Sequence, residues 1–66
     1  MKFEPEKLKE ARIQNGMKQT ELAEAIGCNQ PAVCNWEKGR QCPGPIAVIK
    51  MADILGVEPR FFFTVE

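Results

Sequence analysis

QTELAEAIGCNQPAVCNWEKG, residues Gln19 to Gly39, decides the fold of this 66-residue chain. The spacing of Leu22, Ala23 and Ile26 predicts a helix from Lys18 or Gln19 to Ile26, and Gly27 stops it. Asn29 is a good N-cap, because its side-chain oxygen can accept from a backbone N–H in the next turn. A second helix is therefore predicted over Gln30 to Glu37, with Pro31 tolerated in its first turn and Lys38-Gly39 closing it. Val33 and Trp36 face inward, which leaves Gln30, Pro31, Cys34 and Asn35 on the outward face. Ala23 is small where the helices must cross closely, and Gly27 supplies the backbone freedom of a tight turn.

Glycine and proline punctuate the flanks in the same way. A helix from about Pro5, a good first-turn residue, to Asn15 ends at Gly16, with Leu8, Ala11, Arg12 and Asn15 on one face. Arg40 to Pro43 form a loop. Gly44-Pro45 opens a helix that continues to Leu55 and stops at Gly56, with Val48, Met51, Ala52 and Leu55 as its core stripe. Glu58-Pro59 opens a last short helix carrying Phe61, Phe62 and Phe63. No segment alternates like a strand for more than a few residues. The expectation is an all-α fold, a compact five-helix arrangement forming a single domain over residues 1–66, without linker or repeat.

Composition narrows the function classes. No apolar run is long enough to span a membrane and no leader pattern opens the chain, so a soluble cytoplasmic protein is expected. Three cysteines, Cys28, Cys34 and Cys42, are an odd count without a C-x-x-C pair, and there is no histidine. They suit reduced thiols better than a disulfide framework or a metal site. Histidine, serine and tyrosine are absent and no Gly-rich phosphate loop occurs, so no enzyme, cofactor or metal is expected. Nine Lys and Arg balance nine Asp and Glu. A neutral total is unusual for a phosphate binder, but the signs are not evenly spread. Glu4, Glu6, Glu58 and Glu66 lie near the ends, whereas Lys18, Lys38 and Arg40 flank the central helices.

Two short helices joined at a glycine, the second carrying small and amide side chains outward, make a helix-turn-helix over about residues 18–38. Glutamine and asparagine pair bidentately with adenine in the major groove, so Gln30 and Asn35 are candidate base contacts. Pro31 and Cys34 could touch a thymine methyl. The alternative for all four is a solvated helix face. Lys18, Lys38 and Arg40 are candidate phosphate contacts; the alternative for each is an ordinary exposed base, evenly weighted for Arg40 alone. Cys34 reads either as a redox-sensitive thiol on that face or as a substitute for serine. No basic neighbour is evident to activate it, which favours the second reading.

The segment resembles the Cro/repressor-type (XRE-like) helix-turn-helix family of phage and bacterial regulators. The matching residues are Gln19, Leu22-Ala23, Ile26-Gly27, Gln30, Val33 and Trp36-Glu37-Lys38-Gly39. The likeness extends from about Leu8 through Pro43 and Leu55-Gly56-Val57 to Phe62. It implies a lambda repressor-like fold, with Gln30 and Asn35 at base-contact positions and Gln19 at a phosphate-contact position. It also implies a structural ion pair between Arg12 and Glu37. Three positions depart from the pattern: Lys18 stands at an N-cap where Thr, Ser or Asn is usual, Pro31 where a second polar contact is common, and Cys28 where valine is preferred.

The resemblance implies a Cro-like repressor that binds a short palindromic operator on double-stranded DNA as a homodimer, with no small-molecule ligand. The rival is an antitoxin or other protein-binding module of the same fold, and a fragment of a longer regulator is also compatible. An apolar surplus, Ile46, Ile54, Phe61 and Phe63 beside Pro59, is the expected dimer interface, because so small a domain cannot bury it all.

Overall fold

The computed structural model describes residues 1–65, and Glu66, one of the carboxylates placed near the ends above, lies outside the described residues. Four α-helices form the body: α1 (Pro5–Gln14), α2 (Gln19–Ile26), α3 (Gln30–Glu37) and α4 (Pro45–Leu55). A single 3-10 turn over Pro59–Phe62 follows. Two short strands, β1 (Lys2–Phe3) and β2 (Phe63–Thr64), pair antiparallel with Phe3 opposite Phe63.

The helix boundaries follow from local chemistry. Pro5, Pro31 and Pro45 each occupy the first turn of a helix, where a missing N–H costs nothing. Asn29 caps α3, its Oδ1 accepting from Ala32 N–H at 3.1 Å. Lys18 offers α2 no such bond. Instead the Glu21 carboxylate reaches back and accepts from the Lys18 N–H at 2.8 Å, one half of a capping box. Gly27 ends α2 with φ +93°, a left-handed conformation that a side chain would strain. Lys50 Nζ donates to the freed Ile26 carbonyl at 3.4 Å, placing positive charge at the C-terminal end of α2.

Each helix lays one face on a shared core: Leu8 and Ala11 of α1, Leu22, Ala23 and Ile26 of α2, Val33 and Trp36 of α3, and Val48, Met51, Ala52 and Leu55 of α4. Phe3 and Phe62 close it from the chain ends. Phe62 is fully buried, and burying a side chain of that size stabilises by roughly 1.5–3 kcal/mol. Asn15 ties two helix ends together by donating its side-chain amide to the carbonyls of Ala11 at 2.8 Å and Leu55 at 3.3 Å.

Two details correct the sequence reading. The last helical piece is 3-10 rather than α, so the α-helices among the described residues number four, and Phe63 belongs to β2 rather than to that piece. The terminal ribbon was not expected, because strands of two residues are too short to show alternation. The Glu4 N–H donating to the Phe62 carbonyl at 2.7 Å extends the ribbon's pairing by one bond.

Candidate functional site

Gln19 is the first residue of α2 and Gln30 the first of α3, and the turn at Gly27 brings their side chains into contact. Gln30 Nε2 donates to Gln19 Oε1 at 2.7 Å. Gln19 Nε2 in turn donates to Glu37 Oε1 at 3.0 Å. The same Glu37 oxygen accepts from Arg12 Nη2 at 3.1 Å, while its Oε2 lies 2.6 Å from Arg12 Nε. Arg12 spends another donor on the Met17 carbonyl at 2.8 Å. The two carboxylate oxygens thus face a guanidinium fork side-on, the geometry that makes Arg–carboxylate pairs strong. The pair is deeply set, with 3% of the Glu37 side chain exposed.

The Arg12–Glu37 pair implied by the resemblance is therefore present. What sequence reasoning missed is that Gln19 and Gln30 hang from it. The available signal was a glutamine at the first position of each of two successive helices.

Of the outward residues of α3, Pro31 is exposed and Gln30, Cys34 and Asn35 are half-buried. Lys18, Lys38 and Arg40 are all exposed. Among the described residues the ion pairs are Arg12–Glu37 and the surface pair Arg60–Glu58, so these three cations have no carboxylate partner. Lys18 adjoins Gln19 at the start of α2. Arg40 is drawn back over the last turn of α3 by its N–H, which donates to the Asn35 carbonyl at 3.0 Å. Because lysine cannot accept a hydrogen bond, the first N–H groups of α2 have no side-chain cap at Lys18 and remain available to an anion.

The five residues expected at an interface separate into two groups. Ile46 is 70% exposed, Pro59 is exposed, and Phe61 is 37% exposed with Lys7 Nζ 5.5 Å from its ring centre. Ile54 and Phe63 instead pack partly against the core, Phe63 edge-on to Phe3 at 5.7 Å. Ile49, one turn beyond Ile46 on α4, is 60% exposed and had not been singled out.

All three cysteines are free. Burial pushes the Cys28 thiol above its ordinary pKa, so it stays protonated and packs against the core as a small apolar side chain. Among the described residues no cluster of His, Cys, Asp or Glu could hold a metal ion, and no helix is long and apolar enough to cross a membrane.

Residues 8–62 match a family model described as helix-turn-helix. The chain is similar to the restriction-modification controller protein C.AhdI from Aeromonas hydrophila, at 30% identity over 89% of each chain with a TM-score of 0.83. The P22 c2 repressor in complex with a synthetic operator superposes over the whole of both chains at 17% identity and a TM-score of 0.89. SinR, a master regulator for biofilm formation solved in complex with DNA, is similar over 89% of this chain and 98% of its own, at 23% identity and a TM-score of 0.83. The last two likenesses concern the fold alone. None of the curated proteins compared with the chain matches it.

Proposed function

The chain belongs to the helix-turn-helix family, and on that basis we propose that it is a sequence-specific DNA-binding transcription regulator, a Cro-like repressor that acts in the cytoplasm and binds a short palindromic operator as a homodimer. The observation that carries the reading is the Gln19–Gln30 contact at the joint N-termini of α2 and α3. It leaves Gln30 with one amide N–H and its carbonyl oxygen uncommitted at the start of the outward helix. A donor and an acceptor side by side are what adenine N7 and N6–H require in the major groove.

In this reading Gln30 and Asn35 contact bases, with Pro31 and Cys34 beside them against thymine methyls. Gln19 and the uncapped N–H groups of α2 meet a phosphate, and Lys18, Lys38 and Arg40 neutralise its neighbours. The similarity to a restriction-modification controller supports the same class, and the fold is shared with two regulators solved bound to operator or DNA. Net charge is zero, so long-range attraction to DNA is weak and pairing of two subunits has to supply much of the affinity.

That neutral total also favours a second reading, an antitoxin-like module whose main partner is a protein. Selection from a random duplex pool, followed by titration of the recovered site, separates the two. Recovery of a two-fold symmetric site bound in preference to bulk DNA supports the repressor. Recovery of no preferred sequence rejects it.

A further inference from the structure

We infer that Glu37 is a positioning residue for base recognition: its buried carboxylate dictates, through Gln19, which edge of the Gln30 amide faces outward. The inference rests on the proposal that Gln30 reads a base.

A carboxylate only accepts, and the guanidinium beside it only donates, so neither end of the Arg12–Glu37 pair can reverse its role. Gln19 must therefore turn its NH2 group to Glu37. A planar amide that does so presents its oxygen on the other side, where Gln30 meets it. Gln30 in turn must donate. It is left with one N–H and an oxygen, the adenine complement. Turned round, it would spend its oxygen on Gln19 and present N–H donors, which suit the paired acceptors N7 and O6 of guanine. The polarity of a buried ion pair thus travels through two side-chain amides to an adenine-versus-guanine choice. Glu37 is a firm starting point, because both its oxygens are held and the side chain is almost wholly enclosed.

The test is E37Q and, independently, Q19A, each titrated against the selected site and against its guanine-substituted counterpart at the Gln30 position. Q19A leaves the Arg12–Glu37 pair intact, so it decides the matter even where E37Q fails to fold. The wild type should favour adenine by roughly 5- to 150-fold, the range of one bidentate contact. In E37Q an amide replaces the fixed acceptor, Gln19 is free to reverse, and the adenine preference should collapse or invert. In Q19A it should fall close to that of Q30A. A purely structural role for Glu37 would weaken binding to both duplexes alike and leave their ratio unchanged. The double variant E37Q/Q30A should show the same ratio as Q30A alone. A folded E37Q or Q19A protein that keeps the wild-type ratio overturns the inference. A wild type whose base preference is no greater than that of Q30A overturns it differently, by removing Gln30 from base reading altogether.

Discussion

Arg12 on α1 and Glu37 at the end of α3 are joined by two parallel hydrogen bonds, 2.6 and 3.1 Å long, across 25 residues of sequence. Both side chains are largely shielded from water. Such a pair is costly to break from one side, because the remaining charge is left buried and uncompensated. Arg12→Met should destabilise the fold by about 3–5 kcal/mol, which is comparable to the whole stability of a domain this small. Replacing both partners, in R12M/E37L, should restore most of that loss. Urea unfolding of the single and double variants checks it, and a double variant no more stable than R12M would show that the pair's charge was not the issue.

Gln30 and Asn35 are expected to act on bases. Q30A or N35A should each cost about 1–3 kcal/mol on the selected site and relax the preference at one position of it. Competition titrations against single-base variants of the site measure this directly. A loss that is equal on every duplex would place the two side chains on the sugar-phosphate backbone instead.

Lys38 and Arg40 are exposed and have no carboxylate partner among the described residues, so they should answer to phosphate rather than to sequence. Removing either should weaken binding to specific and random duplexes by the same factor. It should also flatten the plot of log affinity against log salt by about one unit per contact. An unchanged slope excludes the residue from the interface.

Lys18 is expected to set stability against binding. Lys18→Ser would supply the missing N-cap of α2 and should raise stability by about 1 kcal/mol. The same change removes a cation and occupies an N–H that a phosphate would use, so DNA affinity should drop while the melting temperature rises. A thermal melt and one binding isotherm suffice. A parallel rise in both would show that the start of α2 does not meet the backbone.

Much of this architecture is legible in the sequence because its punctuation is local. Asn29, Pro31 and Gly39 delimit α3, and Pro45 with Gly56 does the same for α4. The core stripes of the four α-helices follow from spacing, whereas Phe62 is seen to be the fully buried phenylalanine of its run only in the fold. What was not legible depends on chain segments far apart in sequence. The β1–β2 ribbon joins the two ends of the chain. The Gln30–Gln19–Glu37 chain needs the angle between α2 and α3, which a helical pattern does not carry. Ile49 is a different case: it borders the core stripe of α4 in sequence, and its 60% exposure beside Ile46 is visible only in the fold.

The dimer contact is expected on that opposite face and the adjoining 3-10 turn. Ile46 and Ile49 stand one turn apart on α4 and are largely exposed, and Phe61 and Pro59 are also exposed. Ile54 and Phe63, half-buried against the core, would sit beneath such a contact rather than form its centre. Pairing of two subunits about a two-fold axis would place their α3 helices in successive major grooves, about 34 Å or 10 base pairs apart. A stable free dimer needs on the order of 800 Å² from each partner, a large demand on so small a surface, so DNA should complete the assembly. Ile49→Lys changes a largely exposed side chain, whereas Phe61→Lys also removes an edge-on contact with the buried Phe62 at 5.5 Å, so its fold is checked by thermal melt. Each should abolish cooperative occupancy of two half-sites while sparing the weak binding of one. Footprint length and cooperativity on the selected site read this out. If both variants still fill two half-sites cooperatively, the contact lies elsewhere on the molecule. A selected site without two-fold symmetry would remove the dimer from the proposal.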